Sequence, residues 1–539
     1  MMSGPSRTFG RLRPLGLGLA AATTCVAAPM AQAQAARAAL AQVRRIDVDI
    51  TKAGRPLDRS FNFSVGADYP GTLIRPESLA QLRLAVGELG FRYIRFHAIF
   101  HDVLGTVRVR DGKTVYDWTK IDRLYDAFLS MGIKPFVELG FTPEAMKSSD
   151  LRIFYWKGNT SHPDPKAWSA LVDAFVRHLR SRYGDAEIRR WYFEVWNEPN
   201  LAGFWEGADQ KAYFQLYEAS ARAIKAIDPE LRVGGPATAG AAWVPELLDY
   251  ADQHRVPIDF IATHSYGVDG GFLDEKGQDD NRLSTSPDAV IGDVRRVRQQ
   301  IAASRHPQLP LFFTEWSASY NPRDPVHDSY ISAAYILTKL RATRAFAQGM
   351  SYWTYSDLFE EPGPPPTPFH GGFGLINREG IRKPSFFAYK YLNMLHGREV
   401  PFADPQTWIA TEKGRTGVLF WNWQQPRQEL SNRPFFTKIL SAQAAPAVEL
   451  RFTGLARGHY HLTVRRTGFK ANDAQTRYLE MGSPSALSSA QLTELQGLTR
   501  DVPETNAEVR VGPDGSYALR VPMRSNDIVL ALLEPARGP

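Results

Sequence analysis

Lys134-Pro135-Phe136-Val137-Glu138-Leu139 is followed by helical spacing from Ala167 to Tyr183 and then by Trp191-Tyr192-Phe193-Glu194-Val195-Trp196. Two short apolar runs separated by a long amphipathic stretch form a strand–helix–strand unit, and a crossover of that kind joins parallel strands. The same alternation extends in both directions. Upstream lie strand-like runs at Phe61 to Val65 and Tyr93 to Phe96, and downstream at Leu231 to Gly234, Ile258 to Ala262, Leu311 to Thr314 and Met350 to Tyr355. Helical spacing occupies Ser78 to Leu89, Lys120 to Met131, Gln210 to Ile227, Asp288 to Ala303 and Ser329 to Ala347. In the first of these, Leu79, Leu82, Ala85, Val86 and Leu89 recur close to every 3.6 positions. Eight such strands predict an α/β fold, a closed (β/α)8 barrel over residues 56–397. An open doubly wound sheet would need a glycine-rich phosphate turn after its first strand. None is there, and Gly371-Gly372-Phe373-Gly374 follows the eighth strand and opens no helix.

Beyond the barrel the pattern changes. Gly417 to Trp421, Val448 to Phe452, Tyr460 to Val464, Tyr517 to Val521 and Asp527 to Leu532 are strands split by turn residues. They predict a C-terminal β-sandwich over 398–539, with Ser488 to Leu498 as a helical insertion. Residues 34–55 carry one more strand, Val43 to Ile50, expected to pair with that sandwich. Residues 1–33 read as a signal peptide. Arg7, Arg11 and Arg13 form a basic start, Leu15 to Ala28 an apolar stretch, and Ala31-Gln32-Ala33 a small-x-small cleavage site. The expected location is periplasmic or secreted, with no membrane attachment once the signal is removed. The single cysteine, Cys25, lies in that segment, so a mature chain would have no disulfide or thiol chemistry.

The composition is that of a globular enzyme-sized chain: 539 residues, 43% hydrophobic and 22% charged. A net charge of +7, three units of it in the leader, spread over this length leaves no nucleic-acid footprint. No nucleic-acid partner is expected, and the oligomeric state is left open.

Catalytic groups of barrels sit where the strands end. Reading the strand ends yields His97, Glu138, Asn197, Glu198, His264, Glu315 and Asp357. A lone acidic residue at such a place is ordinarily a helix cap or a loop charge. Glu198 and Glu315 differ, because they follow strands three apart in an eight-fold ring and can face each other across its mouth. Two facing carboxyls suit glycoside cleavage, one as acid and the other as nucleophile or base. Trp316 and Trp353 lie beside those ends, where flat rings could stack on a sugar or simply pack the core. His97 and His101 are four apart but lack the Glu of a His-Glu-x-x-His site, and no Gly-x-Ser-x-Gly elbow occurs. No metal and no cofactor is expected.

Glu194-Val195-Trp196-Asn197-Glu198-Pro199-Asn200, with Thr314-Glu315-Trp316 downstream, resembles the clan A glycoside hydrolases, which are retaining barrel enzymes. Longer stretches are similar to family 39, that of β-xylosidases and α-L-iduronidases. They are Phe91 to His97, Tyr116 to Asp122, Gly132 to Phe141, Asp259 to Tyr266, Ser351 to Asp357, Phe369 to Gly374 and Tyr478 to Pro484. In place of the Gly-His pair that many xylosidases of the family carry after the first barrel strand, this chain has Gly66-Ala67-Asp68. The resemblance implies a retaining exo-glycosidase, a β-xylosidase releasing xylose from the non-reducing ends of xylo-oligosaccharides. It makes Glu198 the acid/base and Glu315 the nucleophile. Asn197, His97, His264, Tyr266, Trp353, Glu360 and Glu361 are the expected sugar-binding residues. An iduronidase-like or arabinosidase activity, or an inactive carbohydrate-binding barrel, are the alternatives.

Overall fold

The computed structural model describes residues 43–536, so the expected signal segment 1–33 lies outside the described residues. Eight parallel strands close into a barrel in chain order: β1 (Ser64–Ala67), β2 (Tyr93–Phe96), β3 (Lys134–Leu139), β4 (Tyr192–Val195), β5 (Arg232–Thr238), β6 (Phe260–Tyr266), β7 (Leu311–Ser317) and β8 (Gly349–Tyr352). Side chains alternate across each strand. On β4, Tyr192 and Glu194 face the barrel axis, while Phe193 and Val195 join the apolar layer beneath the helices.

Three elements differ from the sequence expectation. The run from Phe61 does not enter the barrel directly. Asp58 accepts the Ser60 N–H at 2.9 Å, the chain makes a 3₁₀ turn over Ser60–Asn62, and β1 begins only at Ser64. The helices Val244–His254 and Pro384–Asn393, which complete the fifth and eighth units, were not anticipated. The second buries Phe386, Phe387, Tyr389, Tyr391 and Leu392 on several sides, so it lacks the one-faced apolar stripe that marks a surface helix.

The C-terminal region is a pair of stacked sheets. Arg44–Asp49, Ala444–Thr453 and Tyr517–Arg524 form one, and the N-terminal strand runs parallel to the middle of them, Ile46 opposite Leu450 and Val48 opposite Phe452. The other has six strands, among them Thr407–Glu412, Arg415–Trp421 and Ile528–Pro535. One face of that larger sheet meets Ile46, Val48, Leu450 and Phe452 through Val418, Phe420 and Val529. The opposite face, with Trp408, Leu419, Trp421, Leu530 and Leu532, belongs to the same apolar core as the barrel helices. The expected insertion is present as Ser489–Leu498, opened by a reciprocal cap between Ser488 and Gln491. Among the described residues no helix is long and apolar enough to cross a membrane.

Candidate active site

The barrel interior is layered. An aromatic plug of Phe63, Phe136, Tyr192, Phe260 and Phe312 fills the end where the strands begin. Above it sits a charged layer centred on Arg95 of β2, which is fully buried. Its guanidinium reaches Glu194, Glu138 (3.0 Å), Asn197 Oδ1 (2.8 Å) and Glu315 Oε1 (2.6 Å). Burial opposes the charge on Arg95, but the carboxylates of Glu194, Glu138 and Glu315 outweigh it and hold the guanidinium firmly protonated. Thr314 completes the layer by donating to Glu194 at 2.7 Å.

Above that layer a cavity of about 670 Å³ opens at the carboxyl ends of the strands, lined by His97, Asn197, Glu198, Tyr266, Glu315, Trp353 and Glu361 together with apolar side chains. Local backbone irregularity brings the two carboxyls in. Between β6 and β7 the register slips so that Thr263 pairs with Phe313 while His264 pairs with Glu315. The extra residue lets the consecutive Thr314 and Glu315 both face inward, while Phe313 and Trp316 pack outward among the helices. At the end of β4, Trp196 and Glu198 both adopt left-handed backbone, with φ of 68° and 45°. Such residues cost about 1–3 kcal/mol each and need support from outside. That support is the Trp196 Nε1–H donated to the Phe204 carbonyl at 2.7 Å and the Glu198 N–H donated to the Ala237 carbonyl at 2.8 Å. Gly66 of β1 is required by close approach, since a Cβ there would fall 2.1 Å from the Trp353 ring.

One oxygen of Glu198 and one of Glu315 lie within 4.8 Å of each other and of His264. That is the close spacing of a retaining pair, well inside the roughly 6.5–9.5 Å that leaves room for an attacking water. Burial, and after it the charge of Glu315, push the Glu198 carboxyl well above the usual carboxylate range. His264 Nδ1 lies 2.9 Å from Glu198 Oε1. Burial, Arg95 and His97 hold that imidazole neutral, so it does not draw the proton from Glu198. Glu315 accepts from Tyr266 Oη at 2.7 Å, and burial and the nearby carboxylates keep the phenol protonated for that bond. The three donor atoms of Glu198, His264 and Glu315 are close enough to share a cation. The Arg95 guanidinium bonded to Glu315 already supplies positive charge there and opposes a second one.

Of the sugar-binding residues expected from sequence, the cavity wall holds His97, Asn197, Tyr266, Trp353 and Glu361, and His264 stands just behind Glu198. His97 bridges Glu138 (Nδ1, 2.8 Å) and Glu361 (Nε2, 3.1 Å). Burial disfavours its charge, but Glu138 and Glu361 prevail and raise its pKa well above the ordinary value. Glu360 is a correction: its two carboxylate oxygens are taken by the Arg75 guanidinium at 2.6 and 2.9 Å, away from the cavity. Its neighbour Glu361 points the other way. Asp357, expected at a strand end, lies in the loop beyond β8, also outside the cavity wall, and is paired with the buried Lys383 at 2.6 Å. Sequence reading missed Arg95, because a positive residue in the middle of an apolar strand carries no signal without its partners. It also missed Phe154, Leu201, Tyr320 and Phe373, which come from loops where no periodicity applies.

An eight-stranded parallel barrel with two facing carboxyls at its mouth, one raised in pKa beside the other, defines a retaining glycoside hydrolase of the barrel type. The chain belongs to the glycosyl hydrolases family 39, whose model matches residues 44–516. It is 35% identical over 500 residues to a β-xylosidase of Geobacillus stearothermophilus, covering 91% of this chain and 96% of that one. Among solved structures it is similar to the GH39 enzyme of Xanthomonas axonopodis pv. citri, with 62% identity, a TM-score of 0.91 and coverage of 92% of this chain and 98% of that chain. A monomeric β-xylosidase of Caulobacter crescentus is similar at 63% identity and a TM-score of 0.91, covering 92% of this chain and all of that chain, 100%.

Proposed function

We propose that this glycoside hydrolase is an exo-acting β-xylosidase in which Glu315 is the nucleophile and Glu198 the acid/base. Glu315 attacks the anomeric carbon, the bond from that carbon to the leaving oxygen breaks, and Glu198 gives that oxygen its proton. A water then loses a proton to Glu198 and displaces Glu315 from the sugar, with two inversions and net retention. Tyr266 and Arg95 each hold one oxygen of Glu315, which fixes its orientation for attack. Asn197 lends Oδ1 to Arg95, while its buried Nδ2 has no partner among the described residues. That donor suits the sugar 2-hydroxyl.

The observation that carries the choice of sugar is the charge of the cavity wall. It contains the carboxyl groups of Glu198, Glu315, Glu361 and Asp293 and no Lys or Arg. The Arg95 beneath it is committed to four partners. The protonated His97 spends both ring nitrogens on Glu138 and Glu361, so a uronate would meet no free cation to hold its own carboxylate; a neutral sugar fits and an iduronide does not. The β-xylosidase names of the relatives support xylose among the neutral sugars. The test is a side-by-side panel of aryl glycosides. Aryl β-xyloside should exceed aryl β-glucoside and aryl α-iduronide at least tenfold in kcat/KM, about 1.4 kcal/mol in transition-state binding. Faster turnover of either competitor overturns the assignment. We also propose export through the basic and apolar leader at residues 1–33, testable by the N-terminal sequence of the protein recovered outside the cytoplasm.

A further inference from the structure

The two halves of the cavity differ in chemistry. Around Glu315 the wall offers several polar groups, His97, Asn197, Tyr266 and Glu361, beside the rings of Trp353 and Phe373. On the Glu198 side apolar groups dominate. Leu201 lies one turn beyond Glu198, its N–H donated to the Glu198 carbonyl at 3.0 Å. Asn200 clamps Ala239 in both directions, at 2.9 and 3.0 Å, which sets Ala239 and Gly240 on the same rim. Phe204 meets Phe154 edge-on, ring centroids 5.3 Å apart. Tyr320 stands on the rim after β7, where the two halves meet, its ring centroid 6.4 Å from that of Tyr266. Leu201 is 39% exposed and Tyr320 53% exposed, so large apolar surface is presented to solvent at the mouth.

The polar groups of this half are already engaged. Asp293 gives one oxygen to Ser265 at 2.7 Å and the other to Arg296 at 2.6 Å. The Tyr320 hydroxyl donates to Asn281 at 2.8 Å, and the Gly240 carbonyl accepts from Arg296 at 3.3 Å. A second sugar ring brings several hydroxyls that lose water on binding and need partners in return. Aromatic or alkyl groups bring none. We propose that the leaving-group half of the cavity is an apolar aglycone site, and that the substrates it favours are β-glycosides of aromatic alcohols rather than a sugar linked to a second sugar. The placement rests on Glu198 being the group that protonates the leaving oxygen.

The test compares methyl β-xyloside with 2-phenylethyl β-xyloside. Both release simple alcohols of similar acidity, so the chemical step is matched and only the apolar surface differs. The 2-phenylethyl compound should have a kcat/KM at least tenfold higher, about 1.4 kcal/mol, and Leu201→Asn should bring that ratio below threefold. Calorimetric titration of the Glu315→Gln protein reads the site without turnover. There the 2-phenylethyl xyloside should bind at least tenfold tighter than the methyl xyloside and tighter than β-1,4-xylobiose. Equal kcat/KM for the matched pair, a ratio unmoved by Leu201→Asn, or tighter binding of xylobiose overturns the proposal. If xylosides are not cleaved but another glycone is, the same pair made on that glycone gives the ratio. In that case the xylose reading has failed and the aglycone site is judged separately.

Discussion

At the scale of single residues, the raised pKa of Glu198 has sources that substitution can separate, burial and Glu315 being the two largest. Burial disfavours its charge first, and the negative Glu315 adds to that. Glu315→Gln removes the second while keeping shape and hydrogen bonding. Turnover should fall by several orders of magnitude, because the covalent step is lost. In the same variant the Glu198 carboxyl, followed by carbon NMR of labelled glutamate, should titrate at lower pH than in the wild type. An unchanged or higher midpoint would show that the two carboxyls do not interact. Glu198→Ala should be slow on poor leaving groups and be rescued by azide on activated aryl glycosides, since only the second step then needs a nucleophile in place of base-assisted water. A third residue, Asp68, bears on stability. Burial and then Glu361 raise its pKa from 3.8 to about 7, and it accepts the Glu360 N–H at 2.8 Å. The folded chain therefore keeps a proton that the unfolded chain releases between those two values. Stability attributable to Asp68 is present at acid pH and is lost as pH rises through that window, by at most about 4 kcal/mol. Asp68→Asn should thus gain in melting temperature over the wild type as pH goes from 4 to 8. A difference that stays flat or runs the opposite way would contradict the buried, protonated Asp68.

At the scale of elements, the loop after β8 is held from below by one buried cation. Lys383 Nζ lies 2.6 Å from both Asp328 and Asp357 and donates to the Gly372 carbonyl at 2.8 Å. Asp328 and Asp357 in turn accept the N–H groups of Gly371 and Gly374, each at 2.7 Å. These contacts set Phe373 into the cavity wall. Lys383→Met leaves two buried carboxylates without a counter-charge and should cost about 3–5 kcal/mol, read by denaturant unfolding. A loss under 1 kcal/mol would mean that the loop is held by other means. This network also marks where sequence reading stops. Strands such as Lys134 to Leu139 and the ends carrying Glu198 and Glu315 were legible, because short apolar runs between helical stretches and an acidic residue after such a run are local signals. Glu360 and Glu361 were not separable, since adjacent residues on a loop differ only in which way the chain turns. Arg75, far away in sequence, decides the matter for Glu360. Lys383, Asp328 and Arg95 were invisible as functional supports for the same reason: each is defined by partners that only the closed barrel brings together.

At the scale of the whole molecule, the N-terminal strand, the sandwich and the barrel share consecutive apolar layers. Ile46 and Val48 are fully buried against the six-stranded sheet, whose other face is continuous with the barrel core. Arg44 ties the strand to that sheet through Asp404 at 2.7 Å, the Gln406 carbonyl at 2.8 Å and the Trp421 carbonyl at 2.6 Å. From the barrel side, Arg341 donates to the Thr407 carbonyl at 3.1 Å and Tyr330 to the Leu440 carbonyl at 2.9 Å. An interface that is large and apolar resists independent motion of the parts it joins. Loss of core packing in the small sheet should therefore be felt by the barrel. Ile46→Ala and Val48→Ala each remove buried methyl groups from the outermost layer, far from the cavity. The isoleucine change should cost about 2–5 kcal/mol, with a smaller loss for the valine. Because the two residues are near neighbours on one strand, the double substitution need not be additive. Calorimetry should show one transition moved to lower temperature, with glycosidase activity lost over the same interval. A sandwich that melts first while activity survives to the wild-type temperature would show that the barrel stands without it, and that the shared apolar layer does not couple the two.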